Sequence, residues 1–232
     1  MTMLVVAPIS NEFDVLARAF EERWGAPKQR DVGRIPVRDF GAANVILAEG
    51  GFGKVQFGIS TQHLLDHLPD VDLVVCAGIA GGLAESLGVG DVVVGKATVE
   101  HDFHSVLFKD EPPRFDGSGE HVEALAGEFG GGQGPFQVFF GPIASGDEAI
   151  VKPGRRAEVQ ARSQGLAVAY EGAGGARAAA FSGIPYIEVR GISDMADHDF
   201  LEELDTVVPL AMEPVASVIT WLAEHPVPAG TP

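Results

Sequence analysis

The run VDLVVCAG, residues 71–78, holds five apolar residues in succession from Leu73 to Ala77. Side chains on a strand alternate between two faces, so a run without a polar interruption leaves no face for water. Such a strand has to be covered on both sides, which is the situation of a largely parallel sheet between two layers of helices. Further β-branched runs bounded by Gly, Pro, Asn or Asp are read as strands at 3–9, 44–50, 90–100, 136–145 and 184–193. Helical periodicity falls between them or after them, at 12–24, 57–68, 171–183 and 212–225. Strands alternating with helices predict an α/β fold: three layers, with a central mixed, mostly parallel sheet flanked by helices on both faces.

With 232 residues, of which 46% are hydrophobic, the chain can bury one large core, and residues 1–232 are read as a single domain. Residues 109–134, with Pro112, Pro113 and a glycine-rich tail, are the one irregular stretch long enough to be an insertion or a loop. A formal net charge of −17 argues against nucleic acid and against an anionic membrane as partners. A small neutral or cationic ligand is the expected partner. Cys76 has no second cysteine to pair with, which makes a reducing, cytoplasmic setting the expectation. No basic leader region precedes the first apolar run, and no apolar run reaches the roughly 18 residues of a membrane span.

Two glycine-rich segments invite a nucleotide-binding reading and fail it. EGGFGKVQ has Ala48 where a phosphate loop needs its first glycine, and Val55 where it needs Ser or Thr for magnesium. CAGIAGGLAESLGVGD has Ala80 at the second glycine of the dinucleotide fingerprint. Gly51, Gly53, Gly78, Gly81 and Gly82 instead lie where strands end, and that edge of an open α/β sheet is where ligands sit. Three acidic residues fall at the same edge: Glu12 past the first strand, Glu171 at the start of an Ala/Gly-rich helix, and Asp194 at the end of the last strand. Any one of them reads equally well as a helix cap. Together they suit a reaction in which positive charge develops on the substrate and one carboxyl group holds a proton.

The ordered set EGGFGKVQ, CAGIAGGLAESLGVGDVVVG, EHDF, PIASGDEAI and YEGAGGARAAAFSGIPYIEVRGISDMAD resembles the nucleoside phosphorylase and nucleosidase superfamily over nearly the whole chain. It is most similar to the 5′-methylthioadenosine/S-adenosylhomocysteine nucleosidases. The resemblance implies that Asp194 is the general acid at purine N7 and that Glu171 binds the ribose and stabilises a ribosyl cation. It implies that Glu12 activates the attacking water. Less directly, it places Ile79, Ala80 and Gly81 near the base or the water, Ala149 and Ile150 against the purine, and Tyr170 beside the ribose. Phe52, Phe108 and Phe200 would lie near the 5′ substituent, with Asp197 and Asp199 fixing the loop after Asp194. No cofactor or metal is implied. The family commonly completes its 5′ pocket from a neighbouring subunit, so a homodimer is expected, with Phe103 and Phe108 as spare aromatic residues.

Three departures shape the substrate expectation. Ile79 stands where these nucleosidases usually have Ser, Ala149 replaces an aromatic residue that stacks on the base, and YEGAG keeps only the second of two glutamates. The phosphate-binding arginine of the phosphorylases is missing from APISNEF, where no arginine precedes Arg18, so water is the expected nucleophile. The implied activity is hydrolysis of 5′-substituted adenosines to release adenine, with aminofutalosine among the substrates. The alternative is a futalosine hydrolase releasing hypoxanthine, which the EGAG element also resembles, although Asp194 suits a 6-aminopurine better. A nucleoside-binding protein without catalysis stays open as well.

Overall fold

A computed structural model describes residues 1–132, 134–197 and 204–227. In chain order the elements are β1 (Met3–Ala7), α1 (Ser10–Trp24), β2 (Lys28–Val32), β3 (Ile35–Phe40), β4 (Val45–Glu49), α2 (Lys54–His67), β5 (Leu73–Gly82) and β6 (Val92–Glu100). There follow β7 (Arg114–Asp116), α3 (Gly119–Phe129), β8 (Val138–Ser145), α4 (Pro153–Ser163), β9 (Ala167–Ala169), α5 (Gly172–Ser182), β10 (Tyr186–Asp194) and α6 (Leu204–Glu224).

The central strands are buried on both faces. On β1, Met3, Val5 and Ala7 join a core with Phe20 of α1 and Met212 of α6. Leu4 and Val6 point the other way, into a second core with Phe57 of α2 and Ala179 of α5. β5 divides in the same manner, with Leu73, Val75 and Ala77 on the first side and Val74 and Cys76 on the second. This alternation through one sheet creates the three layers. α6 is long and apolar enough to cross a membrane by composition. Val215, Ile219 and Leu222 on it are instead buried in the first core.

The sheet is mixed. β1 runs parallel to β4 and β5, and β5 runs parallel to β10. β6, β8 and β9 are parallel to one another in sequence, while β10 meets β6, and β9 meets β5, antiparallel. Those pairings close β5, β10, β6, β8 and β9 into a ring, from which β1, β4, β3 and β2 extend as an open wing. Closure removes the edges of the long strands that carry the site.

The expectation of an irregular stretch over 109–134 is corrected: β7 and α3 occupy its middle. GEHVEALAGEF places His121, Val122 and Leu125 on one buried face. A methyl group at Gly119 or Gly127 would touch nothing within 4 Å, so these glycines weaken the helix without serving a packing purpose. Helical spacing of the apolar residues outweighs them. The β2–β3 hairpin, α4 and the three-residue β9 are further elements beyond the sequence expectation.

Candidate active site

The expected residues converge where β1, β5, β9 and β10 end. Glu12 is in the first turn of α1, and its Oε2 accepts the Ile9 backbone N–H at 3.1 Å, half of a capping box. Its Oε1 reaches across to β5 and accepts the Ile79 N–H at 2.7 Å. Capping and site readings of this residue are therefore both satisfied, one by each oxygen. Room for the crossing comes from Gly78, where a methyl group would lie 2.5 Å from Arg190 Nη1 and 2.7 Å from Glu12 Oε1.

Glu171 opens α5. Its Oε1 accepts the Gly53 N–H at 3.3 Å and its Oε2 accepts from Arg190 Nη2 at 3.2 Å. Gly53 has φ +81°, a left-handed conformation that glycine adopts without a Cβ penalty, and it begins α2 there. Buried Ser145 fixes the turn before α5, donating to the Tyr170 carbonyl at 2.8 Å and accepting the Ala173 N–H at 2.9 Å.

Asp194 is aimed by a break in strand register. Ile192 pairs with Ala80 and Asp194 with Gly81, so Ser193 is the extra residue of a β-bulge. Bulges of this kind re-aim side chains beside functional sites. Asp194 Oδ1 then accepts the Ala196 N–H at 2.7 Å, closing a tight turn in which Ala196 takes φ +53°. Ser193 Oγ lies 2.8 Å from Asp194 Oδ2 and 3.3 Å from the Ala80 carbonyl oxygen.

These carboxyl groups line one cavity of about 380 Å³, within the range of small-molecule sites. The cavity holds Glu12, Glu171 and Asp194 together with Phe52, Ile79, Ala80, Gly81, Ala149, Ile150 and Tyr170 of the sequence expectation. Phe52 and Tyr170 pack ring to ring at 4.6 Å. Phe108 ends a 3-10 turn at Val106–Phe108, and its side chain lies outside what is described. Asp197 is exposed, while Asp199 and Phe200 lie outside the described residues.

No lysine or arginine is among the described lining residues. Glu148, also in the lining, is clamped by Arg155 at 2.8 and 2.7 Å, which holds its carboxyl below the usual range. Burial pushes the Glu12 carboxyl up to about 7, with the Glu171 charge adding to the effect and Arg190 opposing it. Glu171 is also raised by burial, against the pull of Arg190. A buried, acidic, mostly apolar pocket of this kind favours a neutral ligand that acquires positive charge, and repels an anion.

Sequence reasoning passed over Arg190, Glu188 and Ser193. Arg190 is fully buried, with Nε donating to Glu188 at 2.8 Å and Nη1 donating to the Ile79 carbonyl at 3.3 Å. The available signal was two opposite charges two residues apart in IEVRGI, on one face of a strand otherwise apolar.

The sequence profile of the phosphorylase superfamily matches residues 2–223. A 5′-methylthioadenosine/S-adenosylhomocysteine nucleosidase of Aeromonas salmonicida is 32% identical over 75% of this chain and 79% of its own length. The enzyme of the same name from Actinobacillus succinogenes is 30% identical over 97% of this chain and 99% of its own. Among solved structures, the Neisseria meningitidis nucleosidase of that name, in complex with methylthio-immucillin-A, superposes with a TM-score of 0.84 at 26% identity, covering 97% of this chain and 99% of that one.

Proposed function

This chain belongs to the phosphorylase superfamily and, within it, to the 5′-methylthioadenosine/S-adenosylhomocysteine nucleosidases, and from that premise we propose that it hydrolyses the N-glycosidic bond of 5′-substituted adenosines to release adenine. The observation that carries this reading is the convergence of Glu12, Glu171 and Asp194 on one cavity without a lining cation among the described residues.

In this mechanism Asp194 donates a proton to N7, so that adenine leaves as a neutral base. Ser193 supports the step: its hydroxyl can donate to the Asp194 carboxylate or to the Ala80 carbonyl, so Asp194 can gain and lose a proton without a heavy atom moving. Glu171, pinned by Gly53 and Arg190, faces the ribose and stabilises the cation that forms as the bond breaks. Glu12 orients the attacking water and takes its proton, a role suited to a carboxyl whose pKa stands at about 7. Phosphate would meet these carboxylates with no compensating cation in the described lining, which supports water as the nucleophile.

A homodimer is part of the same reading. It is supported by the exposed apolar side chains Val55 and Ile59 on α2 and Phe181 on α5, which border one groove. Phe52, 61% exposed at the cavity mouth, is placed for cover by a second copy.

The test is purine release from 5′-methylthioadenosine, S-adenosylhomocysteine, inosine, futalosine and aminofutalosine, with and without phosphate. Adenine and the free 5-substituted ribose are expected at a rate indifferent to phosphate. Hypoxanthine released faster from futalosine, or a ribose 1-phosphate product, would overturn the assignment.

A further inference from the structure

Glu188 sits on β10 with its side chain wholly buried, outside the cavity lining and bonded to Arg190. One oxygen accepts from Arg190 Nε at 2.8 Å and the other from Thr98 Oγ1 of β6 at 2.5 Å. Arg190 in turn donates to Glu171, so four buried side chains run in series from β6 to the cavity wall: Thr98, Glu188, Arg190 and Glu171. The space is shaped for this carboxylate, because a methyl group at Gly172 would collide with both of its oxygens. Burying a second acid beside one arginine is costly unless each charge is paired and hydrogen-bonded. In this chain each one is.

Resting on the proposed hydrolysis, we propose that Glu188 is a positioning residue that keeps Arg190 from neutralising Glu171. Without Glu188 the guanidinium charge would fall on Glu171 and on Glu12, which it also opposes, and would weaken what Glu171 can offer a developing ribosyl cation. Glu188 accepts from the guanidinium Nε. Glu188 adds a second carboxylate paired directly with the guanidinium, so Glu171, which faces the cavity, keeps more of its negative charge. Arg190 thereby serves as a rigid mount for Glu171 while its own charge is spent elsewhere. The benefit arises only when the substrate becomes cationic, so it belongs to the transition state and not to binding of the neutral nucleoside.

Glu188→Gln tests this, since the amide keeps the shape and can still accept from Arg190. The expected result is a kcat for 5′-methylthioadenosine lowered roughly 10- to 100-fold with KM changed less than about threefold. In parallel, calorimetry on the same variant compares two ligands: a 5′-methylthio iminoribitol purine analogue, protonated on the ring nitrogen, and adenine, which is neutral. Affinity for the cation should fall by roughly tenfold or more, and affinity for adenine should stay within about twofold. Unchanged kcat, or losses for cation and neutral ligand in equal proportion, would overturn the proposal and leave Glu188 a purely structural group. If Glu188→Gln does not fold, Thr98→Val decides: it removes one hydrogen bond to the carboxylate and should show the same split at smaller size, and an unaltered cation preference overturns the inference. A wild-type protein that releases no base from any nucleoside refutes the proposed hydrolysis, and the cation-to-neutral ratio then judges Glu188 separately. A wild type that binds neither ligand refutes both.

Discussion

Glu12 Oε1 accepts the Ile79 backbone N–H at 2.7 Å, a hydrogen bond that ties the first turn of α1 to the end of β5 at the cavity. The same placement buries the carboxyl beside Glu171 and lifts its pKa from 4.5 to about 7. A base must be ionised to act, so kcat/KM should fall about tenfold per pH unit as the pH drops below about 7. Glu12→Gln should lower turnover by roughly 100-fold or more and erase that acid limb. A pH–rate profile flat from 5 to 8 would remove Glu12 from the role of base.

The raised pKa also has a consequence for stability. A carboxyl that binds its proton more tightly folded than unfolded favours the native state fully below pH 4.5, and this contribution is lost as the pH rises through about 7. Glu12→Gln cannot ionise and escapes the loss. Its stability relative to wild type should therefore improve between pH 4.5 and 8 by up to about 3 kcal/mol, since a carboxyl protonated when folded and ionised when unfolded forfeits about 1.4 kcal/mol for each pH unit. Denaturant unfolding at the two pH values measures this, and a difference independent of pH would contradict it.

Gly78 should tolerate no side chain. A methyl group there would press on both Arg190 and Glu12, so Gly78→Ala should cost about 1–3 kcal/mol of stability and displace the carboxylate that reaches Ile79. Chemical denaturation and turnover should both report the loss, whereas Gly127→Ala, in open space, should raise stability slightly.

How much of this the sequence reveals follows from burial and pairing. Apolar runs such as LVVCA, bounded by turn residues, read as buried strands, and their ends mark the edge where Glu12, Glu171 and Asp194 meet. The β2–β3 hairpin was hidden because KQRDV is polar and largely solvated while IPVRDF breaks its apolar residues with Pro36, Arg38 and Asp39, so neither reads as a clear strand. The α3 helix was masked by its glycines. The opposite charges two residues apart in IEVRGI hinted at the Glu188–Arg190 pair, but charged residues in a strand normally signal a wet face, and only the three-dimensional pairing shows that these two meet in a dry one.

Assembly gives an independent prediction. Ile59→Glu and Phe181→Glu each place a charge in the exposed apolar groove between α2 and α5 and should convert a dimer to monomers, with activity on 5′-methylthioadenosine reduced if a neighbouring copy covers Phe52. Light scattering at micromolar concentration measures the state. A monomeric wild type would contradict the proposal.

The central claim is that Asp194, delivered by the bulge at Ser193, protonates the departing adenine. Its most direct test is steady-state adenine release from 5′-methylthioadenosine by Asp194→Asn beside wild type in phosphate-free buffer, with the affinity of each protein for the substrate measured in the same buffer. The amide can still hydrogen-bond N7 but has no proton to give, so the predicted result is turnover lowered roughly 100-fold or more with a much smaller change in affinity. Turnover within a few fold of wild type would contradict the claim.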